Sequence, residues 1–301
     1  MKLQTYLPTL LFAVILVFTS CDNEPLEGEF VVDDGVEMTD DGTDPTDDTD
    51  PTDDTTDPDP TGKFVSQEMA AADRFNNYSY AEGLLSNWMA QRPGVTSNID
   101  FVYDASSRVI NYSFTEPGFE QTYDFTYNGD GTLAVYDDVT ISYDGAVVTA
   151  MGTLEGTPDA VATMQINGSG LVTRMTTQDG DYSEYTYDAN GNMTGATGFA
   201  ADGTVEMSFT MTYDDKINPF YGQLGSIYYE RFIEWFFPFD GVFIGSYEGY
   251  SFPYSKNNLT SIVQETGTDV FYTYTYDIED YPVTVSEDVE GDLFEWTISY
   301  E

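Results

Sequence analysis

The chain has 301 residues, 54 of them acidic against 9 Lys and Arg, a formal net charge of −45, one cysteine and no histidine. The missing imidazole excludes Ser-His-Asp and Cys-His catalysis and the HExxH zinc helix. The polyanionic balance excludes nucleic acid and anionic lipid headgroups as partners, and the single thiol excludes an internal disulfide.

At the start, Met1-Lys2 is positively charged, Leu7 to Phe18 is an apolar run too short to span a bilayer, and the small pair Thr19-Ser20 precedes Cys21. That is the layout of a secretory signal. Ending at Cys21, it resembles a bacterial lipobox, which implies cleavage before Cys21, diacylation of its thiol and attachment to the membrane through that lipid. Residues 1–20 are therefore expected to be a lipoprotein signal peptide. The acidic Asp22-Asn23-Glu24 that follows resembles tags that route some lipoproteins to the outside of the outer membrane. It also fits a periplasmic face, and the length of the next segment favours the exterior.

From Asp33 to Pro60 the sequence is built of Asp-Pro and Thr-Asp pairs with no aromatic residue. Such a stretch cannot bury enough surface to offset the entropy of ordering, and its like charges hold it extended. Residues 21–62 are expected to be a disordered acidic spacer. No stretch fits the D-x-[DN]-x-[DN]-G-x5-E calcium loop, so no metal and no cofactor is expected.

Residues 63–301 are expected to form one all-β domain, a class that runs to roughly 200–250 residues. Ser66 to Gln91 holds Met69-Ala70-Ala71-Ala72 and Leu84-Leu85-Ser86-Asn87-Trp88-Met89 before Pro93-Gly94. These helix formers and their stop predict one or two short helices. Beyond them the pattern has period two: Ile99, Phe101, Tyr103; Tyr123, Phe125, Tyr127; Phe209, Met211, Tyr213; Tyr272, Tyr274, Tyr276; Phe294, Trp296, Ile298, Tyr300. Thr, Ser and acidic residues fill most positions between. Successive side chains of a strand face opposite ways, so each segment has one apolar and one polar face. Gly and Asn or Asp clusters between segments supply tight turns. The expectation is an antiparallel meander forming a curved sheet or partly closed barrel.

The segments also repeat, at Tyr103-Asp104, Tyr127-Asn128, Tyr143-Asp144, Ile166-Asn167, Tyr187-Asp188, Tyr213-Asp214 and Tyr276-Asp277. Tyr185-Thr186-Tyr187-Asp188-Ala189-Asn190-Gly191-Asn192-Met193 resembles the YD repeat of the Rhs and teneurin proteins. Physically, the tyrosine ends a strand on the buried face, the aspartate bonds the turn backbone, and Gly-Asn reverses the chain. The motif is degenerate at Tyr143-Asp144-Gly145 and Ile166-Asn167, which predicts less regular geometry between about residues 135 and 175. Together with Asp215-Lys216-Ile217-Asn218-Pro219-Phe220 and Ser255-Lys256-Asn257-Asn258, the chain is similar to a family of bacterial lipoproteins with a porin-like domain. That resemblance implies a fold and a location and carries no assigned activity.

One stretch leaves the meander. Phe220 to Tyr254 carries 14 aromatic residues in 35 positions, and its centre, YYERFIEWFF, has neither strict alternation nor a clean helical stripe. Excursions of this length are functional or packed as a lid. Two readings stand. The rings Tyr228, Tyr229, Trp235, Tyr247, Tyr250 and Tyr254 could stack on a neutral glycan beside Glu230, Glu234, Asp240 and Asn257. Alternatively they are core that covers an open end of the sheet. The leading function is thus a monomeric, surface-tethered, non-enzymatic lipoprotein that binds a glycan or another surface ligand. A membrane-embedded porin-like barrel and a carboxylate-only glycoside hydrolase are the alternatives, though no carboxylate pair stands out.

Overall fold

The computed structural model describes residues 62–237, 255–265 and 267–301. Eighteen strands follow in chain order. They are β1 (Val65–Ala71), β2 (Arg74–Ala81), β3 (Leu84–Arg92), β4 (Val95–Tyr103), β5 (Val109–Glu116), β6 (Phe119–Tyr127), β7 (Leu133–Tyr136), β8 (Val139–Asp144) and β9 (Val147–Leu154). The second half comprises β10 (Thr157–Ile166), β11 (Val172–Thr177), β12 (Tyr182–Tyr187), β13 (Met193–Phe199), β14 (Val205–Tyr213), β15 (Leu259–Gln264), β16 (Val270–Tyr276), β17 (Pro282–Val289) and β18 (Asp292–Tyr300). Each pairs antiparallel with the next, and β18 returns to β1 with Glu68 opposite Ile298 and Met69 opposite Thr297. The sheet is a closed barrel.

Closure follows from what an open sheet would leave. Eighteen twisted strands in one layer expose two unpaired edges and one bare apolar face; joining the edges removes both faults. The inward set forms the core: Phe101, Phe125, Phe209, Met211, Trp296 and Ile298 are all less than a tenth exposed. Tyr103, Tyr127, Tyr213 and Tyr274 pack partly buried against it.

The outer face is polar. Thr122, Asp124 and Thr126 on β6, Glu184 and Thr186 on β12, Glu206, Thr210 and Thr212 on β14, and Glu295, Thr297 and Ser299 on β18 are all exposed. Val102, Met151, Val263 and Phe271 interrupt it as single exposed apolar residues.

The helices expected near the start are instead β1, β2 and β3. Propensity there is overridden by pairing on both sides: Trp88 lies opposite Tyr78 and Ile99, and Ala90 opposite Asn76 and Ser97. Trp88, Ala90 and Arg92 turn inward while Asn87, Met89 and Gln91 stay on the other face, the half-buried setting that strand propensity reflects. The repeat turns lie at one end of the barrel, between even strands and the odd strands that follow. At Asp188 the side chain accepts the backbone N–H groups of Asn190 and Asn192 (2.8 and 2.9 Å), while Asp188 N–H donates to Asn192 C=O. Gly191 sits at φ +84°, where a Cβ is strongly disfavoured. Asp104, Asn167 and Asp277 build the same turn with their side chains. The degenerate copy at Ile166-Asn167 therefore keeps the turn geometry; at Tyr143-Asp144 it is replaced by a shorter hairpin in which Asp144 pairs directly with Val147.

Candidate functional site

The excursion leaves the wall through a repeat turn. Asp214 accepts the N–H of Lys216 at 2.9 Å, as an ordinary copy would, but its second backbone partner is Asn258 at 3.1 Å, and Asp214 N–H donates to Asn258 C=O at 3.1 Å. Asn258 thus takes the place that Asn192 holds in the Asp188 turn, 44 residues on instead of four. The join is reinforced on every side. Tyr276 O–H donates to the Asp214 carboxylate, and Asn257 accepts amide N–H bonds from Asn190 and Asn192 at 3.1 and 2.9 Å. Asn257 also donates to Lys216 C=O at 2.9 Å.

From there the chain turns into the barrel. A 3-10 turn, Gly225–Ile227, leads into helix α1 (Tyr228–Phe236). Phe220, Ile227, Phe232 and Ile233 are at most 1% exposed. Phe232 and Phe236 meet the ring of Tyr185 on β12 edge-on, Tyr229 meets Tyr143 on β8, and Phe220 meets Tyr78 on β2. Strands from widely separated parts of the wall touch one short segment, so that segment occupies the interior as a plug.

The plug's polar side chains engage the first residues of odd strands. Gln223 Oε1 accepts Leu85 N–H at 2.7 Å, Ser226 Oγ accepts Val109 N–H at 3.0 Å, and Tyr228 Oη accepts Val172 N–H at 3.0 Å. The carbonyls of the same three residues accept hydroxyls from Tyr103, Tyr127 and Tyr187 at 2.7, 2.6 and 2.7 Å. Tyr143, Tyr213, Tyr274 and Tyr300 make the matching bond to Leu133, Met193, Leu259 and Pro282. A tyrosine rail thus binds β4, β6, β8, β12, β14, β16 and β18 each to the start of the odd strand before it, and the plug is seated on that rail. Burial drives the Tyr229 hydroxyl up to about 12 and that of Tyr127, despite a bond from Ser226, to about 12 as well. These hydroxyls stay protonated and act as hydrogen-bonding groups, without acid–base chemistry near neutrality.

At the centre lies a charged knot. Arg231 donates through Nε to Glu230 Oε2 at 2.6 Å and through Nη2 to Glu230 Oε1 at 2.5 Å and Tyr112 Oη at 2.7 Å, and it also pairs with Glu234. Burial opposes the Arg231 charge, but Glu230, Glu234 and Tyr112 outweigh it and hold its pKa above the ordinary value. Glu234 is pushed up to about 7: burial disfavours its charge and Glu230 repels it, more than Arg231 stabilises it. Two carboxylates beside one guanidinium resemble an acid–base pair, but Arg231 cross-links them. Among the described residues no group of three or more Asp, Glu or Cys is arranged to hold a metal ion.

Residues 167–205 match the RHS repeat family, so the repeat that the sequence displays at Tyr187-Asp188 is present. No curated protein matches the sequence. Among solved structures the chain is similar to a porin-like protein from Bacteroides uniformis, with 14% identity, covering 79% of this chain and 98% of that one at a TM-score of 0.32. A porin-like protein from Bacteroides vulgatus gives 11%, 79%, 99% and 0.31. The Photorhabdus luminescens Tc holotoxin pore gives 14% identity over 76% of this chain and 10% of its own, at 0.27.

Of the rings proposed for glycan stacking, Tyr228 and Tyr229 are 2% and 5% exposed and hydrogen-bonded to the wall, so neither offers a free face. Their burial follows from their place on α1, which is surrounded by the barrel. Trp235 is half-buried against the core. Tyr247, Tyr250 and Tyr254 lie outside the described residues, as does Cys21. Sequence reasoning missed Gln223, Ser226 and Arg231; the only signal was the uncompensated Glu-Arg-x-x-Glu within an apolar run, which reads as surface charge until the segment is known to be enclosed.

Proposed function

We propose that this chain is a lipid-tethered, water-facing barrel, closed from inside by its own plug, that acts at the bacterial surface as a non-enzymatic binding or presenting module. The supporting observation is the chemistry of the wall. A membrane-spanning barrel carries an apolar outer band and a polar interior; here Thr, Ser, Asp and Glu line the outside while aromatic rings fill the inside. Strand length does not separate the two cases, because several strands reach 9 or 10 residues, close to what a tilted spanning strand needs. Side-chain orientation is what favours the water-facing reading. The tether is read from the signal layout before Cys21, and the surface location from the acidic spacer.

The fragment 62–301 contains all eighteen strands and the β1–β18 seam, so it holds everything needed to close the ring. It is expected to be soluble and monomeric without detergent and to give no conductance in planar bilayers. A fragment that is stable only in detergent and conducts ions would establish the membrane-embedded alternative. In the full chain, Cys21→Ser should abolish incorporation of labelled fatty acid; persistent labelling would refute the tether.

A further inference from the structure

Between mid-height and the end of the barrel opposite the repeat turns, the inner wall of β3, β4 and β5 carries polar atoms with nothing to bond. Trp88 and Ser97 are each 2% exposed, and among the described residues neither Trp88 Nε1 nor Ser97 Oγ has a hydrogen-bond partner. Glu116 Oε2 is buried and unpartnered as well, although the residue as a whole is half-buried. The register brings the three together. Trp88 lies opposite Ile99 and Ala90 opposite Ser97, Asn98 lies opposite Thr115, which sets Ser97 beside Glu116, and Glu116 lies opposite Phe119. Phe114 and Phe119 contact each other edge-on at 5.8 Å above this patch, and Phe119 is 42% exposed at the hairpin between β5 and β6.

Each unpaired buried polar group costs about 1–3 kcal/mol, and three on adjacent strands are unusual because most buried polar groups in proteins are hydrogen-bonded. Their chemistry is mixed: Trp88 can only donate, Glu116 can only accept when ionised, and Ser97 can do either. An ammonium group would satisfy Glu116 but offers nothing to Trp88. A phosphate or carboxylate would satisfy Trp88 but is repelled by Glu116. A hydroxyl serves both, and adjacent hydroxyls on one ring serve all three, with the Phe114–Phe119 pair packing on the C–H face. We infer that this end of the lumen is a binding site for an uncharged polyhydroxylated ligand, such as the end of a sugar chain, entered by displacement of the Phe119 ring. The inference rests on reading the barrel as a binding module and moves the contact from the aromatic excursion to the opposite mouth.

The test is calorimetric titration of the full-length protein with cellobiose, maltose and N-acetylglucosamine, with tetramethylammonium and inorganic phosphate as charged controls. At least one sugar should bind saturably and neither control should. Trp88→Phe, which keeps a ring and removes the N–H, together with Ser97→Ala and Glu116→Ala, should each weaken binding by roughly tenfold or more. Without sugar, Ser97→Ala should melt no lower than the parent, since it removes an unpaired hydroxyl. Absence of binding by all three sugars to the folded protein overturns the inference, as does equal binding by the variants. So does Glu116-dependent binding of tetramethylammonium, or a crystal structure in which one water satisfies all three atoms of a protein that binds no sugar. Failure of the surface-module reading would instead show as a detergent requirement and conductance.

Discussion

The turns at Asp188 and Asp214 start from the same dipeptide and end differently. In the first, four residues close the loop, Gly191 takes the left-handed position, and the chain goes straight into β13. In the second, the same aspartate holds the same two backbone contacts, but the second comes from Asn258 after the chain has entered the barrel, formed α1 and returned. The turn recognises a donor in the right place and is indifferent to how far along the chain that donor lies. A repeat module can therefore accept an insertion without disturbing its neighbours, provided the two stems are clasped, as Asn257, Asn190, Asn192 and Tyr276 clasp them here.

The largest expected effect comes from the part that the Asp188 turn lacks. Arg231→Met should destabilise the protein by about 3–5 kcal/mol in chemical denaturation, because Glu230 and Glu234 lose their buried counter-charge; adding Glu230→Gln and Glu234→Gln should recover much of that. A loss below about 1 kcal/mol would mean that water reaches the knot.

Next is excision. Removing residues 218–257 and changing Ile217 to Gly leaves Asp214 four residues from Asn258, the spacing of the Asp188 turn. The barrel should retain its β signature in circular dichroism, melt at lower temperature and bind a hydrophobic dye through its emptied lumen. An unfolded product would show that the plug is needed to form the wall and would end the comparison between the turns.

Acidity should affect the two turns differently by a smaller amount. The folded pKa of Glu234, about 7, lies above the ordinary value of 4.5, so the folded state holds a proton that the unfolded state releases between those values. Stability should therefore fall by about 3 kcal/mol as pH rises from about 4.5 to beyond 7, and Glu234→Gln should flatten that slope. An identical slope in the variant would place the titration elsewhere. Smallest should be the pair Asp188→Ala and Thr210→Ala: about 1 kcal/mol for the turn against less than about 0.5 for an exposed wall residue. Equal losses would mean that the outer face is packed against something.

Much of the wall was legible. Alternation at Phe101-Tyr103, Phe125-Tyr127 and Phe209-Met211-Tyr213 gives strands and their inward face, and Tyr187-Asp188 gives the turn, because each is decided by neighbours in sequence. Closure was not legible, since a period of two reports which side a residue faces and says nothing about where the first strand meets the last. The starting strands were misread because Met69, Ala70, Leu84 and Leu85 favour a helix in isolation, and their pairing partners include residues as distant as Thr297 and Ile298. Helix α1 was not read because its polar side, Glu230, Arg231 and Glu234, is turned inward as a buried knot, whereas a sequence reading takes the polar side of a helix as the wet one. The candidate mouth site was illegible too: Trp88, Ser97 and Glu116 fit ordinary strand patterns, and only the absence of partners distinguishes them.

The seam between β1 and β18 sets the order in which the protein can be made. Val65 pairs with Tyr300, and Phe64 C=O receives the N–H of Glu301, so these contacts cannot form until nearly the whole barrel has been synthesised. Until then hairpins can accumulate one after another by local contacts, but the growing sheet has an exposed edge at each side and an uncovered aromatic face. Such intermediates are prone to stick to one another, and closing so long a loop comes late. A nascent chain that stalls anywhere before β18 should be the form that chaperones engage and proteases remove.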